Sequence, residues 1–484
     1  MEIFAILGIT LLLTSVPLFV KGARKTGIIN SAGYFIVLAV SLILNYRLLH
    51  GRISFSDFFY VDSLSGYFLL LIAVVSFASS LYSIGYIESD VTDKAISEKE
   101  SRLYYALFNL FAFTMFFCTV VNNLGIMWVF IEMTTLTSAF LVGFYKTQKS
   151  IEAAWKYIII CSVGITLALF GIILFYFTVS SNGGIRSLNW TDIMAVAPKL
   201  DPKIIKIAFL FILVGYGTKA GIAPMHTWLP DAHSQALTPI SALLSGVLLK
   251  TALYAILRFT LIMNKSIGPG YTGNLFVFFG LLSLALSAGF IIAQKDIKRL
   301  LAYSSIEHMG IIFVGLGIGG PLGLFGALFH MFNHAVTKSL MFFGAGNIVK
   351  KYGTHNMRSI HGVTQALPFT GIFVVAGVFA LGGSPLFSIF ISEMMILIAG
   401  FTQGAYASMG IFLFLISIIF GALVYHFNRM AFGRKPEDMQ ATKEPLGGKL
   451  AFIFLAVLVI VFGITMPAFF DKLIKASVDI LNGL

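Results

Sequence analysis

Lys203–Phe259 reads KIIKIAFLFILVGYGTKAGIAPMHTWLPDAHSQALTPISALLSGVLLKTALYAILRF, and sets two lysines, Lys219 and Lys250, inside otherwise apolar runs. A basic side chain at bilayer depth costs about 2.5 to 3.5 kcal/mol on insertion scales, so it persists where it faces a bundle interior or a wet cavity and has a partner. After Lys219 the run Ala220, Gly221, Ile222, Ala223, Pro224 predicts a helix break, because Pro224 supplies no backbone N–H and crowds the preceding turn. Backbone groups freed at membrane depth are tolerated only where protein or water satisfies them, which is why broken helices mark ion pathways.

The rest of the chain agrees with a membrane setting. Its 484 residues are 58% hydrophobic and 11% charged, with a mean hydropathy of +0.91, the composition of an all-α polytopic membrane protein. A net charge of +12 with so few charged residues reads as loop cations that fix orientation, and nucleic acid is excluded as a partner. Cys118 and Cys161 lie far apart in apolar runs, so no CxxC metal site or iron–sulfur cysteine set is present and no redox centre is expected in this chain. The apolar run 3–20 follows Met-Glu without a basic leader and reads as a retained span.

With about 20 residues per crossing, fourteen apolar segments are expected, at 3–20, 27–49, 61–87, 103–121, 124–145, 153–178, 204–235 (broken), 239–263, 273–293, 300–317, 322–349, 365–400 (broken), 405–428 and 450–470. The loops are too short for a second domain, so 1–484 reads as one transmembrane domain. Of the 33 basic residues, twenty fall after odd-numbered segments, Lys298 and Lys443 among them. Nine fall on the opposite side, at Arg47, Arg52, Arg186, Lys199, Lys203, Lys206, Lys265, Lys472 and Lys475. Both termini are therefore expected outside. The remaining four, Lys219, Lys250, Arg258 and Lys338, are cations inside apolar segments.

Gly382, Gly383, Ser384 and Pro385 interrupt the twelfth segment much as Gly221 to Pro224 interrupt the seventh. Paired interruptions point to an inverted-repeat transporter, here with five-segment repeats over about 103–263 and 273–430, flanked by 1–87 and 450–470. The match is loose, since Lys219 precedes its proline by five residues whereas Glu393 follows Pro385 by eight. Chance pairing of glycine and proline kinks is the plainer alternative.

The runs TKAGIAPMHTWLPDAHSQALTPISALLSGVLLKTALYAILRF, IKRLLAYSSIEHMGIIFVGLG and LFHMFNHAVTKSLMFFGAGNI closely resemble the antiporter-like membrane subunits of complex I, Mrp-type Na+/H+ antiporters and membrane-bound group 4 [NiFe] hydrogenases. The phrases YVDSLSGYFLLLI at 60–72 and SSIEHMG at 304–310 are most similar to hydrogenase-4 component F. The resemblance covers nearly the whole chain and implies fourteen core helices with two half-channels joined by a polar axis at mid-membrane. It also implies a multi-subunit complex with other antiporter-like and anchoring membrane subunits and a hydrogenase-like soluble arm, whose NiFe centre and Fe–S clusters lie outside this chain.

Side-chain chemistry names candidates on that axis. Glu132 is the one carboxylate of the fifth segment, and a buried acid costs less beside a cation, so Lys219 is its expected partner; the resemblance implies the same pair. A static ion pair is the alternative. Lys250 has no carboxylate within a helical turn, so burial disfavours its charged form and makes it a ready proton donor. Arg258 does not release protons and reads as an interface anchor. His226, Asp231 and His233 follow the first break, as a relay or as hydrogen-bonded caps. His330, His334 and Lys338 recur at i, i+4 and i+8 on one helix face. No acidic or cysteine ligand accompanies that stripe in the sequence, which favours proton transfer over a metal site. His308 is supported by its family position, Glu307 beside it points about 100° away on a helix, and Glu393 matches the terminal carrier of the family axis. Glu132, Lys219, Lys250, His334, Lys338 and Glu393 would form a row across the bundle. Its lysines cannot all stay charged and dry, since close pairs repel by a few kcal/mol at an effective dielectric of about 20. A wet mid-membrane band with Lys219, Lys250, Lys338 and Glu393 in that order is therefore expected. A pure anchoring scaffold would gain nothing from such buried charges.

Overall fold

The computed structural model describes residues 1–51, 53, 54, 57–437, 439, 440 and 444–483, with backbone alone at 53 and 54. Arg52 and Lys443, both counted above as loop cations, lie outside the described residues. Helices account for most of the rest: α1 (Glu2–Phe19), α2 (Ala23–Leu48), α3 (Ser63–Thr92), α4 (Glu98–Val120), α5 (Leu124–Val142), α6 (Gln148–Ser181), α7 (Trp190–Val196), α8 (Pro202–Ala220), α9 (Leu229–Gln235), α10 (Thr238–Leu243), α11 (Leu249–Ile267), α12 (Gly270–Ala293), α13 (Ile297–Ile318), α14 (Gly320–Tyr352), α15 (Val363–Ala366), α16 (Pro368–Leu381), α17 (Ser388–Thr402), α18 (Tyr406–Ala431), α19 (Leu446–Ile464) and α20 (Ala468–Leu481). A two-residue antiparallel ribbon, β1 (Ile53–Ser54) and β2 (Tyr60–Val61), precedes α3.

Each of the fourteen expected segments coincides with a helix or a helix pair. Eleven helices among the described residues are long and apolar enough to cross a membrane, counting α10 and α11 as one span through a π turn at Leu244–Leu248. The three expected segments outside that set are α8 with α9, α14, and α16 with α17. The first and last are broken, and α14 carries His330, His334 and Lys338. The helix α20 is not among the expected segments; its buried face of Phe470, Leu473, Ile474 and Val478 seats against α3 and α14. Buried residues dominate α3, α13 and the α10–α11 span, whereas α1, α6, α12, α18 and α19 leave broad apolar faces outward, as a bundle solvated by lipid requires.

Both interruptions are real chain breaks with local hydrogen-bond compensation. Gly221 ends α8 in the left-handed region at φ 74°, a conformation glycine adopts without strain. The Thr218 carbonyl freed there accepts from Gly221 N at 3.2 Å and from the Trp228 indole at 2.8 Å. Ala223, which precedes a cis Pro224, donates its N–H to Ser283 Oγ at 3.0 Å. In the second break Gly382, Gly383 and Pro385 lie between α16 and α17, Gly383 has φ 72°, and Ser384 N donates to the Phe379 carbonyl at 3.0 Å.

Two cations differ from their sequence reading. Arg258 is not an interface anchor: it is buried and forks onto Asp62, the N-cap of α3, with NH1–Oδ2 at 2.8 Å and NH2–Oδ1 at 2.7 Å. Tyr254 and Ser65 take its remaining donors, and its guanidinium lies 4.6 Å from the Trp190 ring centroid. The partner sits nearly two hundred positions earlier, which spacing along the chain cannot show. Lys298 is not a free loop cation either, being 4% exposed with Nζ on the Ala236 carbonyl at 3.0 Å.

Candidate functional site

The first group is built on α5, α6 and the end of α8. Glu132 is half-buried on α5; its Oε1 accepts from Ser162 Oγ at 2.6 Å and its Oε2 from Thr135 Oγ1 at 3.2 Å. Lys219 is fully buried and donates to Thr135 Oγ1 at 2.7 Å and to Tyr157 OH at 2.6 Å. Tyr157 in turn meets Ser138 Oγ at 2.8 Å. The expected direct Glu132–Lys219 ion pair is corrected here: no N···O contact within 4.0 Å joins them. One hydroxyl stands between the charges, accepting from the ammonium and donating to the carboxylate. Thr135, one helical turn from Glu132 on the same face of α5, was legible as a neighbour, whereas Ser162 and Tyr157 come from α6.

The second group collects α11, α13, α14 and α17. Lys250 Nζ donates to the Ser245 carbonyl at 2.7 Å, at the π turn that leads into α11, and meets His334 Nδ1 at 2.5 Å. An ammonium has only donors, so His334 accepts at Nδ1 and, when neutral, carries its proton on Nε2. His308 Nδ1 lies 2.9 Å from His330 Nε2, and His330 Nδ1 lies 2.9 Å from Ser392 Oγ. Ser392 already donates to the Ile389 carbonyl at 2.8 Å, so it accepts from His330 Nδ1–H, and His308 Nδ1–H donates to His330 Nε2. The His308 and His334 rings are 4.6 Å apart. Two one-directional strands of nitrogen, Lys250–His334 and His308–His330–Ser392, thus lie side by side.

Glu393 is buried on α17 with its carboxylate over Gly383, where a Cβ would collide with Oε2. Its ligand atoms and those of His308 and His330 all lie within 4.8 Å of one another. The sequence showed no acid near the histidine stripe; the fold supplies one from another helix, so a metal-capable trio exists. Lys338 is fully buried and makes no hydrogen bond; Glu307, also buried, lies within its electrostatic reach but outside ion-pair distance. Glu307 points away from His308, yet α13 is buried on nearly every side, so both directions are interior.

His226, Asp231 and His233 do not act as one set. His233 is fully buried, with Nδ1 on the Leu229 carbonyl at 2.9 Å. His226 lies about 6.4 Å from the Tyr303 ring. Asp231 faces a cleft of about 1060 Å³, held by Lys156 at 3.2 Å and Arg299 at 2.5 Å. At the same cleft, burial of Asp296 would push its carboxyl up, but His355 and the Arg299 backbone N–H more than offset it and hold it below the ordinary range.

Comparisons with known proteins agree with this geometry. Residues 121–420 match the sequence family described as NADH:quinone oxidoreductase/Mrp antiporter, transmembrane, and residues 50–94 match the NADH-ubiquinone oxidoreductase (complex I) chain 5 N-terminus. The hydrogenase-4 component F homolog of Methylacidiphilum infernorum (isolate V4) is 37% identical over 459 residues, 94% of each chain. The archaeal membrane-bound sulfane sulfur reductase contains a chain that superposes with a TM-score of 0.86 at 24% identity, covering 99% of this chain and 97% of that one. A chain of the Mrp complex from Dietzia sp. DQ12-45-1b gives the same TM-score at 18% identity over the same shares; both are likenesses of fold. This chain therefore belongs to the proton-antiporter family of multi-pass membrane subunits shared by NADH:quinone oxidoreductases and Mrp antiporters.

Proposed function

We propose that this chain is the proton-translocating membrane subunit of a complex I-related, hydrogenase-type oxidoreductase complex. The carrying observation is that Lys219, Lys250, His308, His330, His334, Lys338 and Glu393 are all buried between the helices that flank the two breaks. Buried charge at that depth is costly and marks proton relays. In this reading 1–484 is one domain with repeats near 103–263 and 273–430, set in the cell membrane with both termini outside, as the loop cations favour. The hydrogenase-4 relative supports partner membrane subunits and a hydrogenase-like soluble arm holding NiFe and Fe–S centres, in which electron transfer supplies the energy.

The mechanism is charge-coupled. A change at Glu132 reaches Lys219 through Thr135; the altered field shifts whether Lys250 keeps its proton or yields it to His334; His308 and His330 pass the next proton toward Glu393. Lys219→Ala tests this reading. In reconstituted vesicles the assembled variant is expected to keep its soluble redox half-reaction and to lose the pH gradient, and wild-type pumping would sink the reading. A subunit of an Mrp-type Na+/H+ antiporter, or of complex I itself, is the second reading, favoured by the end-to-end fold likeness to the Mrp chain. A hydrogenase large-subunit gene beside this one decides between them.

A further inference from the structure

Lys298 is a buried cation that the row leaves unused. It stands at the start of α13 and donates to the Ala236 carbonyl at 3.0 Å, where the C-terminal end of α9 favours positive charge. Three residues before that carbonyl, His233 is fully buried. Its Nδ1 bonds a carbonyl and must be N–H, so the neutral ring carries its lone pair on Nε2, which has no partner. The cations that act on His233 are Lys338 of α14, Lys250 of α11 and Lys298, which sets this imidazole between the row and Lys298. The carboxylates that act on Lys298 are Asp296 and Asp90. Asp90 on α3 is 5% exposed and holds Lys350 Nζ and Tyr145 OH, each at 2.7 Å. The Lys350 side chain is 35% exposed, so the cluster reaches the rim of the bundle.

We propose that Lys298 is the proton-uptake residue, drawing protons from the Asp90 cluster at the rim and passing them to His233, which loads Lys338 or Lys250. One N–H bond of the Lys298 ammonium breaks and one forms on His233 Nε2, through water of the kind that satisfies such a buried lone pair. The imidazolium keeps its Nδ1–H on Leu229 and releases the Nε2 proton to whichever lysine amine has discharged along the row. The Lys298 amine is then reprotonated from the Asp90 side, and no electron moves.

This inference rests on the proton-row reading, so its test carries Lys219→Ala as a control. Lys298→Arg keeps a cation and donors for the Ala236 carbonyl but does not release protons. In vesicles holding the assembled complex, pumping per redox turnover is expected to fall about tenfold or more, the lower end of what a positioned proton carrier contributes. Lys298→His is expected to pump at low pH and to lose that activity as pH rises through roughly 6.5, the ordinary histidine value; a helix cap alone gives no such profile. Wild-type pumping by Lys298→Arg overturns the proposal, and if that variant does not assemble, a Lys298→His profile parallel to wild type from about pH 6 to 8 overturns it. Should Lys219→Ala block pumping while Lys298→Arg does not, only the uptake proposal falls; should both pump normally, the row falls with it.

Discussion

Around Lys219 the polar side chains are matched: Glu132, Thr135, Ser138, Tyr157, Ser162 and Lys219 all have hydrogen-bond partners. Around Lys338 they are not, and Glu307 Oε2, His308 Nε2, Asn333 Oδ1, His334 Nε2, Thr337 Oγ1 and Lys338 Nζ are buried without protein partners. A fully satisfied network in a low dielectric is rigid and holds its charges in place. Orphaned buried atoms are the sites that ordered water occupies, and water is what lets a proton leave. The difference casts the first group as a sensor of charge and the second as the conductor.

The largest test of that contrast exchanges each lysine for methionine. Lys338→Met removes no protein hydrogen bond, and an apolar isostere is often no less stable than a buried charge, so the unfolding midpoint should stay close to wild type while pumping falls about 100-fold. Lys219→Met strands Thr135 and Tyr157 and should lower stability by about 1 to 3 kcal/mol besides stopping the pump. Thermal unfolding of the purified variants, read beside vesicle acidification, decides it. Equal destabilisation by both would erase the asymmetry.

Thr135→Val makes a smaller cut inside the matched group. It leaves Lys219 Nζ with Tyr157 alone and Glu132 Oε2 unbonded, so coupling between redox turnover and pumping should drop about tenfold, the equivalent of about 1.4 kcal/mol. Thr135→Ser should restore it. A valine variant that couples normally would mean that Glu132 and Lys219 act on each other without the hydroxyl.

Most of the fold was legible because lipid forces a simple pattern: apolar runs of fixed length, with breaks only where Gly221, Pro224, Gly382, Gly383 and Pro385 stop a helix. The row of carriers was legible for the related reason that a lysine or glutamate in such a run is conspicuous. What the sequence hid was pairing across helices. Asp62 lies far from Arg258, Glu393 far from His308, and the hydroxyls of Ser162 and Ser392 are too common in membrane helices to stand out. Lys298 was hidden by its place at a helix start, where a cation reads as a loop charge until packing buries it.

The smallest expected effect concerns direction within the conductor. Ser392 Oγ donates to the Ile389 carbonyl and accepts from His330 Nδ1–H, which leaves His330 Nε2 as the acceptor facing His308. That single hydroxyl therefore decides which way the two imidazoles point their protons. Ser392→Ala deletes the acceptor, so the tautomer with Nε2–H becomes competitive and sets two N–H groups against each other at the 2.9 Å contact. The loss is one hydrogen bond, about 1 kcal/mol, so pumping should slow about fivefold with assembly and redox turnover intact. Ser392→Thr, which keeps the hydroxyl, should recover it. Asn333 Nδ2 lies 3.4 Å from the same oxygen and donates to the Ser388 carbonyl at 2.8 Å, so it holds the turn of α17 whether or not the hydroxyl is present. A slowed Ser392→Ala variant consequently reports the lost orientation of His330 rather than a displaced helix, and pumping at the wild-type rate would show that the direction of the histidine strand is set elsewhere.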